Sequence, residues 1–346
     1  MSVIMDRATR HTTAFSSRAF RVFAIAVALL SVPAARGQAP KAGSSSPGQI
    51  ISRSAMETDP QLRIIASEIE HGSYSKAESD ARAYLLREPN SPAGHNLLGY
   101  VLYRENKAKD SLAEYTAGAR YQKPDANDLA VVAMDYILLG DYPDADKWLT
   151  TATEWEPGNS LYWYYLGRTK YNENRFQESI EAFTRVLKLK PRDIRAEYNL
   201  GLALAGLGKA SEATNAYKTA IHWEEQGGHV DPQPYLDLGL LLMQQGENTH
   251  ATTYLMKAVK VDATNPKSHE ALGRNYEKIG KLSKAEGEYK SAIALAPEIL
   301  ALHFELGRIY QKESRNGLAK QEFDLCAALN RDHSTDSAQT PNLTSK

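Results

Sequence analysis

The sequence predicts an all-α solenoid of about eight helix–turn–helix units, and three observations predict it. A pattern of aliphatic, small and aromatic positions recurs every 34 residues from Thr58 to His333. Inside each period the apolar positions fall at helical spacing on two successive segments. Glycine or asparagine separates the two segments, and proline closes the second one in several periods. The frame reads 58–91, 92–125, 126–159, 160–193, 194–227, 232–265, 266–299 and 300–333, with one four-residue insertion at Gly228–Asp231.

The first segment of each unit is helical because positions 4, 7, 8 and 11 share one face. Position 7 is Ile64, Leu98, Val132, Leu166, Leu200, Leu238, Leu272 and Leu306, aliphatic throughout. Position 8 is glycine in six units, from Gly99 to Gly307, with Ile65 and Ala133 in the others. The second segment repeats the logic with positions 20, 24 and 27. Position 20 is only alanine or serine, and position 24 is bulky in seven units, as in Tyr115, Phe183, Tyr217 and Phe323. A small residue at 8 opposite a small residue at 20 lets two helix backbones approach, and the bulky residue at 24 fills the space beside them. Position 15 is Gly72, Gly140, Gly208, Gly246 or Gly280, or Asn106 or Asn174, residues that tolerate the left-handed conformation ending a helix. Pro89, Pro157, Pro191 and Pro297 at position 32 stop the second helix.

This 34-residue unit, with small-8, small-20, aromatic-24 and Pro-32, resembles the tetratricopeptide repeat over Thr58 to His333. The resemblance implies a right-handed superhelix, a non-enzymatic protein-interaction scaffold, and a concave face that receives peptides. Departures are Ile65 and Ala81 at positions 8 and 24 of the first unit, Pro124 one place late, and a position 4 that is tryptophan only at Trp163.

The ends read differently. Residues 1–39 carry Arg7, Arg10, Arg18 and Arg21 ahead of the apolar run Val22–Val32 and the small residues around Ala35 and Ala39. That is the layout of a secretory signal peptide, with an uncleaved anchor in the inner membrane as the alternative. Residues 40–57 begin as a Pro/Gly/Ser linker, and 334–346 form a polar tail expected to be disordered. Loss of 1–39 removes five arginines and one aspartate and takes the formal charge from −1 to −5. An acidic mature chain argues against nucleic acid as partner. The leader predicts export to a periplasm or the outside of the cell, with no membrane span after cleavage. Cys326 is the only cysteine, which excludes a disulfide framework.

Catalytic residues, cofactors and metals are not expected: the sequence has no phosphate-binding glycine loop, His-Glu-x-x-His, paired-cysteine spacing or Gly-x-Ser-x-Gly elbow. His95, His269 and His303 all stand at position 4, where they read as packing rings, a metal pair between the last two units being the sharper alternative. Cys326 occupies a position that is alanine in four other units, so burial is expected. Lys188, Lys190, Arg192 and Arg195 span an inter-unit turn and read as a solvated loop.

Positions 5, 9 and 12 share a different face of the first helix. In the first six units 16 of these 18 residues are apolar or tyrosine, whereas the last two units turn charged. An apolar stripe on an open face marks an interaction surface, and tyrosine supplies contact area at low entropic cost. Tyr103, Tyr164, Tyr171 and Tyr198, with Arg168 as a charged handle and Asn199, Arg274 and Arg308 beside them, are the candidate peptide-binding residues. Two alternatives compete with peptide binding: tight curvature buries the stripe as core, or Gln49-Ile50-Ile51 folds back into it. The acidic-tail clamp known from the family uses Lys, Arg and Asn on three successive units; here only Arg168 and Asn199 are adjacent. The last unit keeps Leu318, Phe323, Leu325 and Leu329, which predicts an apolar edge and a homodimer formed through it. A partner protein or peptide is therefore expected in the groove, and an envelope or secretion-complex subunit associating through that edge is the alternative.

Overall fold

The computed structural model describes residues 59–228 and 230–338. The leader at 1–39, the linker at 40–57, Gln49–Ile51 and the tail beyond Ala338 lie outside them. Among the described residues there are sixteen helices and no strand. They fall two to a unit: α1 (Pro60–Glu70) and α2 (Tyr74–Arg87), α3 (Pro92–Arg104) and α4 (Ala108–Gly118), α5 (Ala126–Leu139) and α6 (Tyr142–Trp155), α7 (Ser160–Asn172) and α8 (Phe176–Leu189). The second half follows with α9 (Ile194–Gly206) and α10 (Ala210–Gly227), α11 (Pro232–Gln244) and α12 (Asn248–Val261), α13 (Pro266–Lys278) and α14 (Leu282–Leu295), α15 (Leu300–Lys312) and α16 (Asn316–Ala338).

Local chemistry sets each boundary. Seven of the eight first helices start on a side-chain cap: Ser91, Asp125, Asn159, Asp193 and Asn265, for example, each accept from a backbone N–H of the helix they precede, whereas Ile299 before α15 makes no such bond. Asp125 and Asp128 cap each other reciprocally. Position 15 has positive φ in every unit, including Ser314 at 59°. Ahead of the four-residue insertion α10 runs one turn longer than its counterparts, with 18 residues where α8 and α12 have 14, and Gly228, the first inserted residue, ends it in the left-handed conformation. α16 runs on to Ala338, past the His333 at which the repeat frame closes.

Paired helices pack as the columns predict. The ring of Tyr217 lies so close to Gly201 that a Cβ there would stand 2.7 Å from it, and Phe183 fills the same place beside Gly167. Ser111 and Ser179 at position 20 donate to the position-8 carbonyls of Gly99 and Gly167 at 2.8 Å. Units then stack: each second helix packs on the next first helix, and most neighbouring first helices touch.

Polar bonds between units recur at fixed positions. A cation at position 16 reaches the acid at position 21 of the preceding unit: Lys107 to Glu78 at 2.8 Å, Arg175 to Asp146 at 2.6 Å, and Arg315 to Glu286 at 2.6 Å. Position 4 donates to the position-32 carbonyl before it: His95 to Pro89, Trp163 to Pro157 and His303 to Pro297 at 3.0 Å, and His269 to Ala263 at 3.1 Å. Among the described residues, ion pairs cross the junctions between units 1–2, 3–4, 5–6 and 7–8, and none crosses 2–3, 4–5 or 6–7.

Candidate functional site

The stripe at positions 5, 9 and 12 is mostly covered, because neighbouring first helices lie side by side along it. Tyr100 and Tyr164 are 3% and 8% exposed, and Leu62, Ile69, Met134, Leu236 and Met243 are buried with them. Tyr103, Arg168, Tyr171, Tyr198 and Asn199 are half-buried. Much of this apolar stripe is therefore packing between units, the outcome that tight curvature produces.

The candidate tyrosines divide into two groups. Tyr164 packs edge-on to Tyr165 and Phe183, with ring centroids 5.7 and 5.9 Å away. The Arg195 guanidinium stands over its face at 4.9 Å, and Asn199 donates to its hydroxyl at 3.4 Å. Tyr103 leans on Tyr100, and burial pushes its hydroxyl above the usual tyrosine range, helped by Tyr165 nearby. Burial raises Tyr165 as well, while Arg168 and Arg195 act in the opposite direction. Tyr171 and Tyr198 belong elsewhere. Tyr171 packs on Phe176, and Tyr198 lies on Tyr217 and donates to Asp237 at 2.5 Å. Burial raises the Asp237 carboxyl, so this second group is a buried polar contact inside the array.

Arg274 and Arg308 are not brought to either group. Arg274 pairs with Glu270, and Arg308 binds Glu305 at 2.7 Å and Glu277 at 3.1 Å. Lys312 closes on the same Glu277 at 2.7 Å. The charged face of the last two units is thus an internally matched ladder.

Sequence reasoning missed Arg104 and Tyr165, and misplaced Arg195. These stand at positions 13, 6 and 2; positions 2 and 13 are the more open ones, whereas position 6 is buried at Leu97, Val131 and Ala271, and widening the stripe by one residue per turn finds them. Arg104 rests over the Tyr74 ring at 4.6 Å and donates to the Tyr100 hydroxyl at 3.0 Å. Arg195 does not lie in a solvated loop as its basic neighbours suggest, because it falls in the first turn of α9 and stacks on Tyr164.

The remaining candidates are structural. His95, His269 and His303 each place Nδ1 2.7 Å from Glu114, Glu288 and Glu322 respectively, so both ring nitrogens are engaged. Among the described residues no group of three His, Cys, Asp or Glu side chains is placed to hold a metal ion. Cys326 is half-buried and donates to the Leu300 carbonyl at 3.1 Å. At the last unit Phe323 is only half-buried, against 0% for its counterparts Phe183 and Tyr289, because among the described residues no further helix pair packs on it. Leu318 and Leu325 are 37% and 48% exposed. No helix among the described residues is long and apolar enough to cross a membrane.

The family model for the tetratricopeptide repeat matches residues 64–127, 160–193 and 232–265, and the last two have the bounds of the fourth and sixth units. Over 219 residues the chain is 31% identical to the PEX5-related protein of Homo sapiens, covering 60% of this chain and 32% of that one. It is 35% identical over 92 residues to the peroxisomal targeting signal receptor of Saccharomyces cerevisiae, covering 26% and 15%. The chain spans only 12–15% of the length of several such relatives, among them tetratricopeptide-repeat proteins of Arabidopsis thaliana. A solved tetratricopeptide repeat protein from Parabacteroides merdae shares the fold with a TM-score of 0.55, at 18% identity over 77% of this chain and 97% of its own. The C-terminal part of a Cytophaga hutchinsonii repeat protein gives 0.55 at 16% identity over 68% and 95%. Repeat columns, helix pairs and family match agree: the chain is a tetratricopeptide repeat protein, an all-α solenoid.

Proposed function

We propose that the chain is a non-enzymatic scaffold whose concave face, over units 2 to 5, receives a segment of a partner protein. One observation carries this: Tyr103 and Arg168, half-buried, stand near the half-buried Tyr165, whose ring packs on the buried Tyr164. Aromatic area with a polar tip and a cation beside it suits recognition of a peptide. Partial likeness to proteins named peroxisomal targeting signal receptor supports a recognition role. The leader at 1–39 supports export, so the partner would be met in the cell envelope or outside the cell. Because Tyr164 packs against Phe183, its removal would test stability rather than binding. A photo-crosslinking residue in place of Tyr103 is the cleaner probe, with one in place of Thr151 on a second helix as control. Adducts from position 103 and none from 151 are expected; equal capture at both, or capture only at 151, contradicts groove binding.

Self-association through α16 has its own support. Positions 19 and 26 are charged, polar or alanine in every other unit, yet are Leu318 and Leu325 in the last one. A dimer through this face would be lost in Leu318→Glu/Leu325→Glu, read as mass by light scattering. A monomer at high concentration before substitution contradicts it.

A further inference from the structure

Over units 2 to 5, positions 2, 5, 6, 9, 12 and 13 of the first helices comprise 24 residues. They include three arginines and no aspartate or glutamate. The same positions in units 6 to 8 hold four acids against five cations, and their arginines are neutralised in place. In contrast Arg104, Arg168 and Arg195 have no carboxylate partner among the described residues, in a chain whose net charge is negative. Two of them are held by aromatic rings instead: Arg104 over Tyr74, and Arg195 over Tyr164. Guanidinium groups fixed on rings keep most of their forked donors free, Arg104 giving one to Tyr100, and forfeit little entropy on binding a carboxylate.

From this we infer that the concave face of units 2 to 5 binds an internal acidic segment of its partner, reading side-chain carboxylates at separate points with Arg104, Arg168 and Arg195. The inference rests on the groove function proposed above and names the chemistry of the occupant. Separate contacts follow from spacing. Three helix-to-helix steps of about 8–10 Å lie between α3 and α9, so Arg104 and Arg195 meet different carboxylates. An extended chain rising about 3.3 Å per residue spans that distance in roughly seven to nine residues. A single terminal carboxylate cannot satisfy all three cations, so a free C-terminus is not required.

The probe is a library of random twelve-residue peptides displayed with their C-termini fused to a carrier, selected on the full chain. Enriched sequences are expected to be acidic, with carboxylates near both ends. Arg168→Glu/Arg195→Glu should bind them at least about tenfold more weakly, Arg168→Gln should lie between, and Lys218→Glu, on the exposed face of α10, should bind as the parent does. Affinity should fall as salt rises. Circular dichroism with a melting curve checks that each variant folds. Enrichment of neutral or basic sequences overturns the acidic occupant; if those peptides still block crosslinking from position 103, groove binding itself stands. Acidic peptides that bind Arg168→Glu/Arg195→Glu undiminished, or the absence of any enrichment, overturn the inference as well.

Discussion

His303 and Glu322 are joined at 2.7 Å through Nδ1, while Nε2 of the same ring donates to the Pro297 carbonyl of the preceding unit at 3.0 Å. The imidazole thereby ties the last helix pair to the unit before it. His303→Ala would leave a carboxylate and a carbonyl without their partner, and the loss should be about 1–3 kcal/mol in the stability of the last unit. His303→Trp should restore part of it, since Trp163 makes the carbonyl bond at the equivalent place. Urea unfolding followed by hydrogen exchange in α15 and α16 reads this; equal protection in His303→Ala would show that the bridge contributes nothing.

Asp135 gives a dependence on pH. It is fully buried, Oδ2 lies 2.5 Å from Ser111 Oγ, and Oδ1 has no partner. Burial raises its carboxyl to about 8, with the Ser111 bond acting against the shift. The protonated form fits the geometry: Asp135 donates to Ser111, and Ser111 donates to the Gly99 carbonyl at 2.8 Å. In the unfolded chain the group titrates at about 4. Between about pH 4 and 8 the native state therefore holds a proton that the unfolded state has released, so stability falls as pH rises through that window. Asp135→Asn keeps a donor to Ser111 and removes the ionisation. It should flatten the slope and gain about 3–4 kcal/mol at pH 8 relative to pH 5. An unchanged slope of melting temperature against pH would refute the assignment.

Close packing makes two glycines behave in opposite ways. A methyl group on Gly201 would meet the buried Tyr217 ring at 2.7 Å, whereas around Gly287 there is nothing within 4 Å. Gly201→Ala should cost about 1–3 kcal/mol through overpacking, and this outweighs alanine's helical preference. Gly287→Ala should gain about 1 kcal/mol, the propensity difference alone. Denaturation midpoints of the two variants check both signs together.

These cases show why the fold was more legible than the site. Gly201, Tyr217 and the position-15 glycines recur at one spacing, and repetition turns a weak local preference into a frame. The stripe through Tyr100, Tyr164 and Met134 repeats just as clearly, but periodicity cannot say whether a face meets solvent or the neighbouring first helix. That depends on how tightly units stack, which no single column encodes. Arg104 and Arg195 were hidden for a related reason: they occur once each, at positions that vary, and gain meaning only beside Tyr74 and Tyr164.

The alternation of ion pairs along the array sets the order in which it should open. Arg175 and Lys170 converge on Asp146 at 2.6 and 2.7 Å across the junction of units 3 and 4, and the Lys170 side chain is only 9% exposed. Across units 4 and 5 no ion pair crosses among the described residues; the polar contacts are Asn199 to Tyr164 at 3.4 Å, the Arg195 stack, and Arg192, which donates to Gln226 and stands over Trp223. In a solenoid, stability is close to a sum of unit and nearest-neighbour terms, so the weakest junction opens first. Hydrogen exchange should therefore show units 3 and 4 protected as one block, with the α8–α9 junction opening at lower free energy than the α6–α7 junction. Asp146→Ala strips both cations of this partner and should bring the two junctions level, with a loss of about 1–3 kcal/mol for the half-buried pair. Uniform exchange along the whole array, insensitive to Asp146→Ala, would mean that apolar stacking alone couples the units.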